Sequence, residues 1–195
     1  MGVHRENIQA QLRESCRVKQ SFSEELLARI ERFADRSAEL LSRGGKLDFF
    51  GNGGSAADAQ HLAAELVVRL RENRPGLAAL ALTTNTSVLT AAANDLGYER
   101  IFERQIESLV MSGDVLVALS TSGTSANVIR GMDAGAQRGV FRVALTGETG
   151  GELAQRVDLL INVPSRDPQR IQEAHITIGH IVCSLIERIR FGTQG

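Results

Sequence analysis

The stretch KLDFFGNGGSAADAQHLAAEL, residues 46–66, decides how this chain folds. It opens on a short apolar run, Leu47–Phe50, passes through Gly51-Asn52-Gly53-Gly54-Ser55, and continues into alanine-rich sequence of helical character. A short run of consecutive apolar residues fits a strand buried on both faces, as a parallel sheet requires. Glycines in the turn permit positive φ and let backbone N–H groups approach an oxygen-rich ligand at a helix N terminus. The pattern is neither G-x-G-x-x-G nor a P-loop, since no GK[ST] follows. By itself it reads equally as a tight turn.

The same grammar repeats outward. Further short apolar runs stand at Leu77–Leu82, Val115–Leu119, Phe141–Leu145 and Leu159–Val163. Helical patterns separate or follow them at Ser55–Arg71, Ser87–Asn94, Tyr98–Met111, Ser125–Arg138 and Asp167–Arg190. Strand and helix in alternation predict an α/β three-layer sandwich: a doubly wound, five-stranded parallel sheet of flavodoxin- or Rossmann-like kind. Ligands of such sheets bind beyond the carboxyl ends of the strands. Upstream, residues 4–43 read as two polar-rich helices, with Ile8, Leu12 and Cys16, then Leu26, Leu27, Ile30, Phe33 and Ala34, at helical spacing. No linker or low-complexity tract divides the chain, so residues 1–195 are expected to form a single domain. The N-terminal helices should pack on it or on a neighbouring subunit.

The composition of the 195 residues narrows the function. Twenty-two basic against 23 acidic residues leave a net charge of −1, which gives no electrostatic footprint for nucleic acid or an anionic membrane. Any anion must be held by local geometry. Cys16 and Cys183 are the two cysteines, far apart and in no CxxC spacing, which fits a reducing compartment and small apolar packing roles. The amino terminus is charged and lacks an apolar signal region, and no apolar run reaches 18 residues, so a cytoplasmic protein with no membrane span is expected. The lysines are Lys19 and Lys46 alone, neither in a site-like context, which disfavours Schiff-base chemistry.

A second strand end carries Ser120-Thr121-Ser122-Gly123-Thr124-Ser125-Ala126-Asn127. Five hydroxyls and a glycine before a helix suit a phosphate monoester without any formal cation; a plain N-cap needs one hydroxyl. The strand end Leu145-Thr146-Gly147-Glu148 reads as a turn. Just past the first loop, His61 and Glu65 are four residues apart and project from one helix face. They can share a divalent metal, work as a proton-transfer pair, or stand as a solvated pair. The last helix holds Gln172, Glu173, His175 and His180 among apolar residues; buried, each needs a partner, and His175 reads best as a core histidine bonded to backbone. Gln172 and His180 lie about 12 Å apart along that helix. If both ligate one ion they come more easily from different subunits, which predicts an oligomer with composite sites.

Taken together, GNGGSAADAQHLAAEL, RENRPG, AANDLG, STSGTSANVI, LTGETGGELA and RIQEAHITIGHI resemble the phosphoheptose isomerases, single-domain members of the sugar isomerase (SIS) superfamily, in order and spacing over nearly the whole chain. The resemblance implies interconversion of D-sedoheptulose 7-phosphate and D-glycero-D-manno-heptose 7-phosphate, the entry to nucleotide-activated heptose for lipopolysaccharide core. It implies that Asn52, Gly53, Gly54, Ser55, Asn94, Asp95 and Gln172 touch the sugar, and that Ser120, Thr121, Ser122 and Ser125 hold the phosphate. His61, Glu65, Gln172 and His180 match the family's zinc ligands, one ion per subunit. Glu65, which also contacts substrate, and His180 match its acid–base pair. A homotetramer with active sites between subunits is implied as well. A carboxylate held by zinc is a poorer base, so if Glu65 ligates throughout turnover the metal is an electrophile and the base lies elsewhere.

A rival of another class is similar over parts of the chain: a non-catalytic SIS protein that binds the bacterial replication initiator. That relative lacks the glutamate and the histidine at the positions of Glu65 and His180, and both are present here. A sugar-phosphate-sensing module finds no attached DNA-binding domain. Arg69, Arg71 and Arg74 read as a solvated or intersubunit basic group.

Overall fold

Leu47–Gly51 (β1) and Val115–Leu119 (β3) are buried at every position, because each lies inside a sheet covered on both faces. The computed structural model describes residues 2–192; the expected domain span also includes residue 1 and residues 193–195, which lie outside the described residues. Ala79–Ala81 (β2), Phe141–Thr146 (β4) and Leu159–Asn162 (β5) complete an all-parallel sheet in the order β2-β1-β3-β4-β5. The expected α/β three-layer, doubly wound architecture is what forms.

Successive side chains of a strand point to opposite faces, and β1 supplies both cores. Leu47 and Phe49 join Phe33 and Ala38 of α2 (Glu24–Ser42), Leu62 and Leu66 of α3 (Gly54–Val67), and Ile178 and Val182 of α7 (Pro168–Phe191). Phe50 faces the other way, onto Ala92 of α4 (Thr86–Leu96), Phe102 and Ile106 of α5 (Ile101–Leu109), and Val128 and Met132 of α6 (Ala126–Arg138). The Phe50 and Phe102 rings meet at 5.0 Å between centroids, tilted by 60°, the offset geometry aromatic pairs favour.

Element ends differ from the periodicity where tertiary bonds intervene. The helix expected to run to Arg71 stops at Val67, because Arg74 takes the carbonyls of Glu65 and Leu66. The strand expected over Leu77–Leu82 shortens to Ala79–Ala81, since Leu77 N–H donates to Leu66 O rather than into the ladder. The helix expected from Tyr98 begins as a 3-10 turn, Tyr98–Arg100, before α5. Cys183 is buried as expected, but Cys16 is exposed. It shares the row of Ile8 and Leu12 on α1 (Val3–Gln20), whose exposures of 59% and 62% leave that row facing away from its own chain. Lys46 pairs with Asp48 and Asp114 at the start of β1, the end of the strand away from the glycine turn.

His175 lies wholly buried under the end of β4, its Nε2 3.1 Å from the Thr146 carbonyl. A carbonyl only accepts, so Nε2 is the protonated nitrogen. Burial lowers the imidazole to about 4, against the backbone bond that favours protonation. The unfolded chain therefore protonates first. Stability is full above about pH 6.5 and declines toward pH 4, by on the order of 3 kcal/mol across the window. Urea unfolding of the wild type should weaken more steeply between pH 7 and 4.5 than that of His175→Gln; equal slopes would remove His175 from this account.

Candidate active site

Two loops flank the point where the winding reverses. After β1 the chain turns onto one face of the sheet through α3; after the adjacent β3 it turns onto the other through α6. In a sheet of this order the crevice between those strands is where ligands sit. The glycine turn enters α3 with Gly53 at φ 57°, and no side chain caps the helix. Gly51 lets β1 and β3 close together, since a Cβ there would lie 2.5 Å from Leu119 O. The hydroxyl loop opens α6, and the Ser125 hydroxyl makes no capping bond, so the plain N-cap reading fails and that oxygen is free to serve a ligand. Ser120 Oγ accepts from Gly123 N–H at 3.2 Å, and Ser122 Oγ accepts from Thr124 N–H and its hydroxyl. Gly147 N–H donates to Thr121 O at 3.0 Å, so the turn after β4 braces this loop.

A reciprocal amide pair locks the two loops together. Asn52 Nδ2 donates to Asn127 Oδ1 at 2.8 Å, and Asn127 Nδ2 donates to Asn52 Oδ1 at 2.9 Å. Tyr98 hydroxyl adds a third bond to Asn52 Oδ1 at 3.1 Å. Asn94 and Asp95 bond each other in the exposed last turn of α4, and it is Tyr98 from the same junction that reaches the glycine loop.

Beside these loops α3 and α7 cross closely at Gly179, where a Cβ would meet Leu62 Cδ2 at 2.5 Å. That approach brings His61 Nε2 to 2.7 Å from His180 Nε2, with Glu65 Oε1 3.3 Å from His61 Nε2. The rings meet edge to face, 80° apart. One ligand atom from each of His61, Glu65 and His180 lies within 4.8 Å of the others, so the three could hold a metal ion. Two imidazole nitrogens and a carboxylate oxygen suit a borderline divalent cation such as zinc. Two nitrogens so close cannot both carry a proton, which leaves a lone pair facing the shared space.

The convergence happens within one chain. His180 therefore needs no second subunit to meet His61 and Glu65. Gln172, about two turns earlier on α7, lies over Gly54, where a Cβ would stand 2.1 Å from its Nε2, and its amide is near enough to Asp58 to act on that carboxyl. Burial raises the Asp58 carboxyl above its ordinary range, against the Gln172 amide and the imidazoles of His61 and His180, which lower it. Sequence reasoning assigned no role to Asp58, Tyr98 or Asn127. Asp58 alone left a trace: it stands three residues before His61 on the same helix.

The fold and the paired strand-end loops are those of an SIS-domain protein, and the SIS domain profile matches residues 12–147. The chain is 48% identical to the phosphoheptose isomerase of Aneurinibacillus thermoaerophilus over 94% of each sequence. It is 52% identical to that of Roseiflexus sp. (strain RS-1) over 91% of this chain and 90% of the relative. The solved phosphoheptose isomerase of Neisseria gonorrhoeae superposes with a TM-score of 0.89 at 43% identity, covering 95% of this chain and 99% of that one. The chain belongs to the phosphoheptose isomerase family.

Proposed function

We propose that this protein converts D-sedoheptulose 7-phosphate to D-glycero-D-manno-heptose 7-phosphate, in the cytoplasm, as the first step toward nucleotide-activated heptose. The observation that carries the reading is the meeting of Glu65 with His61 and His180, from helices over 100 residues apart in sequence, beside the two strand-end loops. Ser120, Thr121, Ser122 and Ser125 hold the phosphate at the N terminus of α6, where hydroxyls and the helix dipole offset the charge. Asn52, Gly53, Gly54, Ser55, Asn94, Asp95 and Gln172 contact the sugar.

The reaction moves one proton between C1 and C2 through an enediol(ate). Glu65 removes the carbon-bound proton and His180 donates to the carbonyl oxygen, then the roles reverse. His61, Glu65, Gln172 and His180 are the residues that would hold zinc, one ion per subunit; when bound, it supplies Lewis-acid polarisation of the substrate oxygens. A carboxylate held by a cation would be a poorer base, so the role given to Glu65 would require it to be free of the ion when it takes the proton.

The whole chain works as one SIS domain, assembled as a homotetramer with its active sites at subunit contacts. Support comes from the exposed apolar row Ile8 and Leu12 on α1, and from Val67, Val68, Ile181, Ile189 and Phe191 exposed around the α3–α7 seam. Large apolar side chains left exposed in this way are the kind of surface that a subunit contact covers. No helix among the described residues is long and apolar enough to cross a membrane. The test is conversion of sedoheptulose 7-phosphate followed by proton NMR. Folded, zinc-supplied protein that leaves it unconverted, and instead binds the replication initiator, would transfer the protein to the non-catalytic class.

A further inference from the structure

Two helices carry the reacting groups, and a buried charge pair bolts them together about two turns from His180. The last carbonyls of α3 lack partners within the helix, as at any helix end. Arg74, from the connection to β2, takes two of them: Nη2 donates to Glu65 O at 2.9 Å and Nη1 to Leu66 O at 2.8 Å. Its Nε donates to Glu187 Oε1 on α7 at 2.8 Å, and each side chain is 2% exposed. Glu187 in turn accepts the backbone N–H groups of Leu70 at 3.0 Å and Arg71 at 3.3 Å. The Phe191 ring stands 5.9 Å from the guanidinium carbon.

The placement is specific to the site. Arg74 grips the backbone of Glu65 itself. Glu187 follows His180 by seven residues, two helical turns, so the two project within about 20° of each other. One bond network thus ends on the residue that presents the carboxylate and on the helix face that presents the imidazole. The guanidinium spreads its donors over three nitrogens and so reaches Glu187, Glu65 O, Leu66 O and Pro75 O at once, a span that the single nitrogen of a lysine ammonium does not cover.

Net stability is a poor reason for such a pair. Replacing a buried ion pair by apolar groups of similar volume is often neutral or stabilising, whereas removing one partner is costly. The geometry points to Arg74 and Glu187 as a positioning pair that sets α3 against α7, so that Glu65 and His61 meet His180 in working register. The inference rests on the proposed roles of Glu65 and His180.

The test compares wild type, Arg74→Lys, and the double variant Arg74→Met/Glu187→Leu. Each is measured for thermal midpoint, kcat and KM on sedoheptulose 7-phosphate, and Zn2+ affinity by competition with a chromophoric chelator. The double variant should melt within a few degrees of wild type and keep KM within about threefold. Its kcat should fall about 100-fold, the cost of roughly 1 Å of misplacement, and Zn2+ should bind about 10-fold more weakly or worse. Native kcat and native Zn2+ affinity in the folded double variant overturn the inference.

If the double variant does not fold, Arg74→Lys decides, since it keeps charge and most of the packing. A kcat loss at unchanged KM and melting supports positioning; wild-type kcat, or a loss no larger than the unfolded fraction, overturns it. A wild type that does not isomerise the sugar refutes the functional reading instead. The Zn2+ measurement still judges the pair in that case.

Discussion

Glu65→Gln and His180→Gln should each abolish deuterium uptake at C1 and C2 of sedoheptulose 7-phosphate in D2O, by about 10³-fold relative to wild type. The size follows from the role, since a positioned proton-transfer group contributes 10²–10⁴-fold. Gln keeps the shape of Glu65 and removes its basicity; at His180 it removes the imidazole that carries the proton. Neither change touches the hydroxyl loop, where Ser120, Thr121, Ser122 and Ser125 stand on a different strand end, so sugar-phosphate affinity should survive. Both positions are partly exposed, and the thermal midpoint should move little. Proton exchange at the wild-type rate in either variant would strip that residue of its role. Exchange lost in Glu65→Gln together with Zn2+ binding, and restored by excess metal, would assign the carboxylate to ligation and place the base elsewhere.

Gly123→Ala is the second large effect. Gly123 sits at φ +67°, where a Cβ costs roughly 1–2 kcal/mol. The added carbon would lie 2.1 Å from Gly150 O, 2.6 Å from Gly150 C and 3.0 Å from Gly151 N. All three are backbone, so no side-chain rotation relieves the clash, and overpacking adds roughly 1–3 kcal/mol. The loop must swing away from the turn after β4, giving up the bonds of Gly123 N–H to Ser120 Oγ and of Leu153 N–H to Gly123 O. A loss of about 3 kcal/mol corresponds to a KM raised about 10²-fold if the loop alone yields. If the whole fold yields, it corresponds to a thermal midpoint lowered by about 6–12 °C. A variant matching wild type in both quantities would show that the hydroxyl loop does not depend on its contact with the β4–β5 turn.

Much of the fold was legible because its causes are local. Apolar runs marked β1 and β3, unbroken in β3 and interrupted only by Asp48 in β1, since a strand covered on both faces has no polar side to alternate with. Glycine and hydroxyl clusters marked the two ligand loops, since the needed backbone approach and donors come from consecutive residues. Legibility failed where a distant partner set the outcome. The helix after the glycine turn ended four residues before its periodicity did, because Arg74 reaches back to cap it. Cys16 followed an apolar row that its own chain leaves uncovered. Asn127 looked like one more residue of a helix start, yet it makes the amide pair that joins the loops.

The amino-acid order alone thus determined the class of sheet, the two loops, and the inventory of candidate groups: His61, Glu65, Gln172 and His180. Which of these meet was decided by how α3 lies on α7. Helical spacing along α7 said only that Gln172 and His180, if they share one ion, come more easily from different subunits; that His180 meets His61 and Glu65 within one chain is decided by the close crossing at Gly179. Periodicity reports which face of a helix is apolar, not how near two helices approach or in what register. Those quantities come from the volumes of residues such as Gly179 and Leu62, and from ties such as Arg74 to Glu187, between positions that stand far apart until the chain has folded.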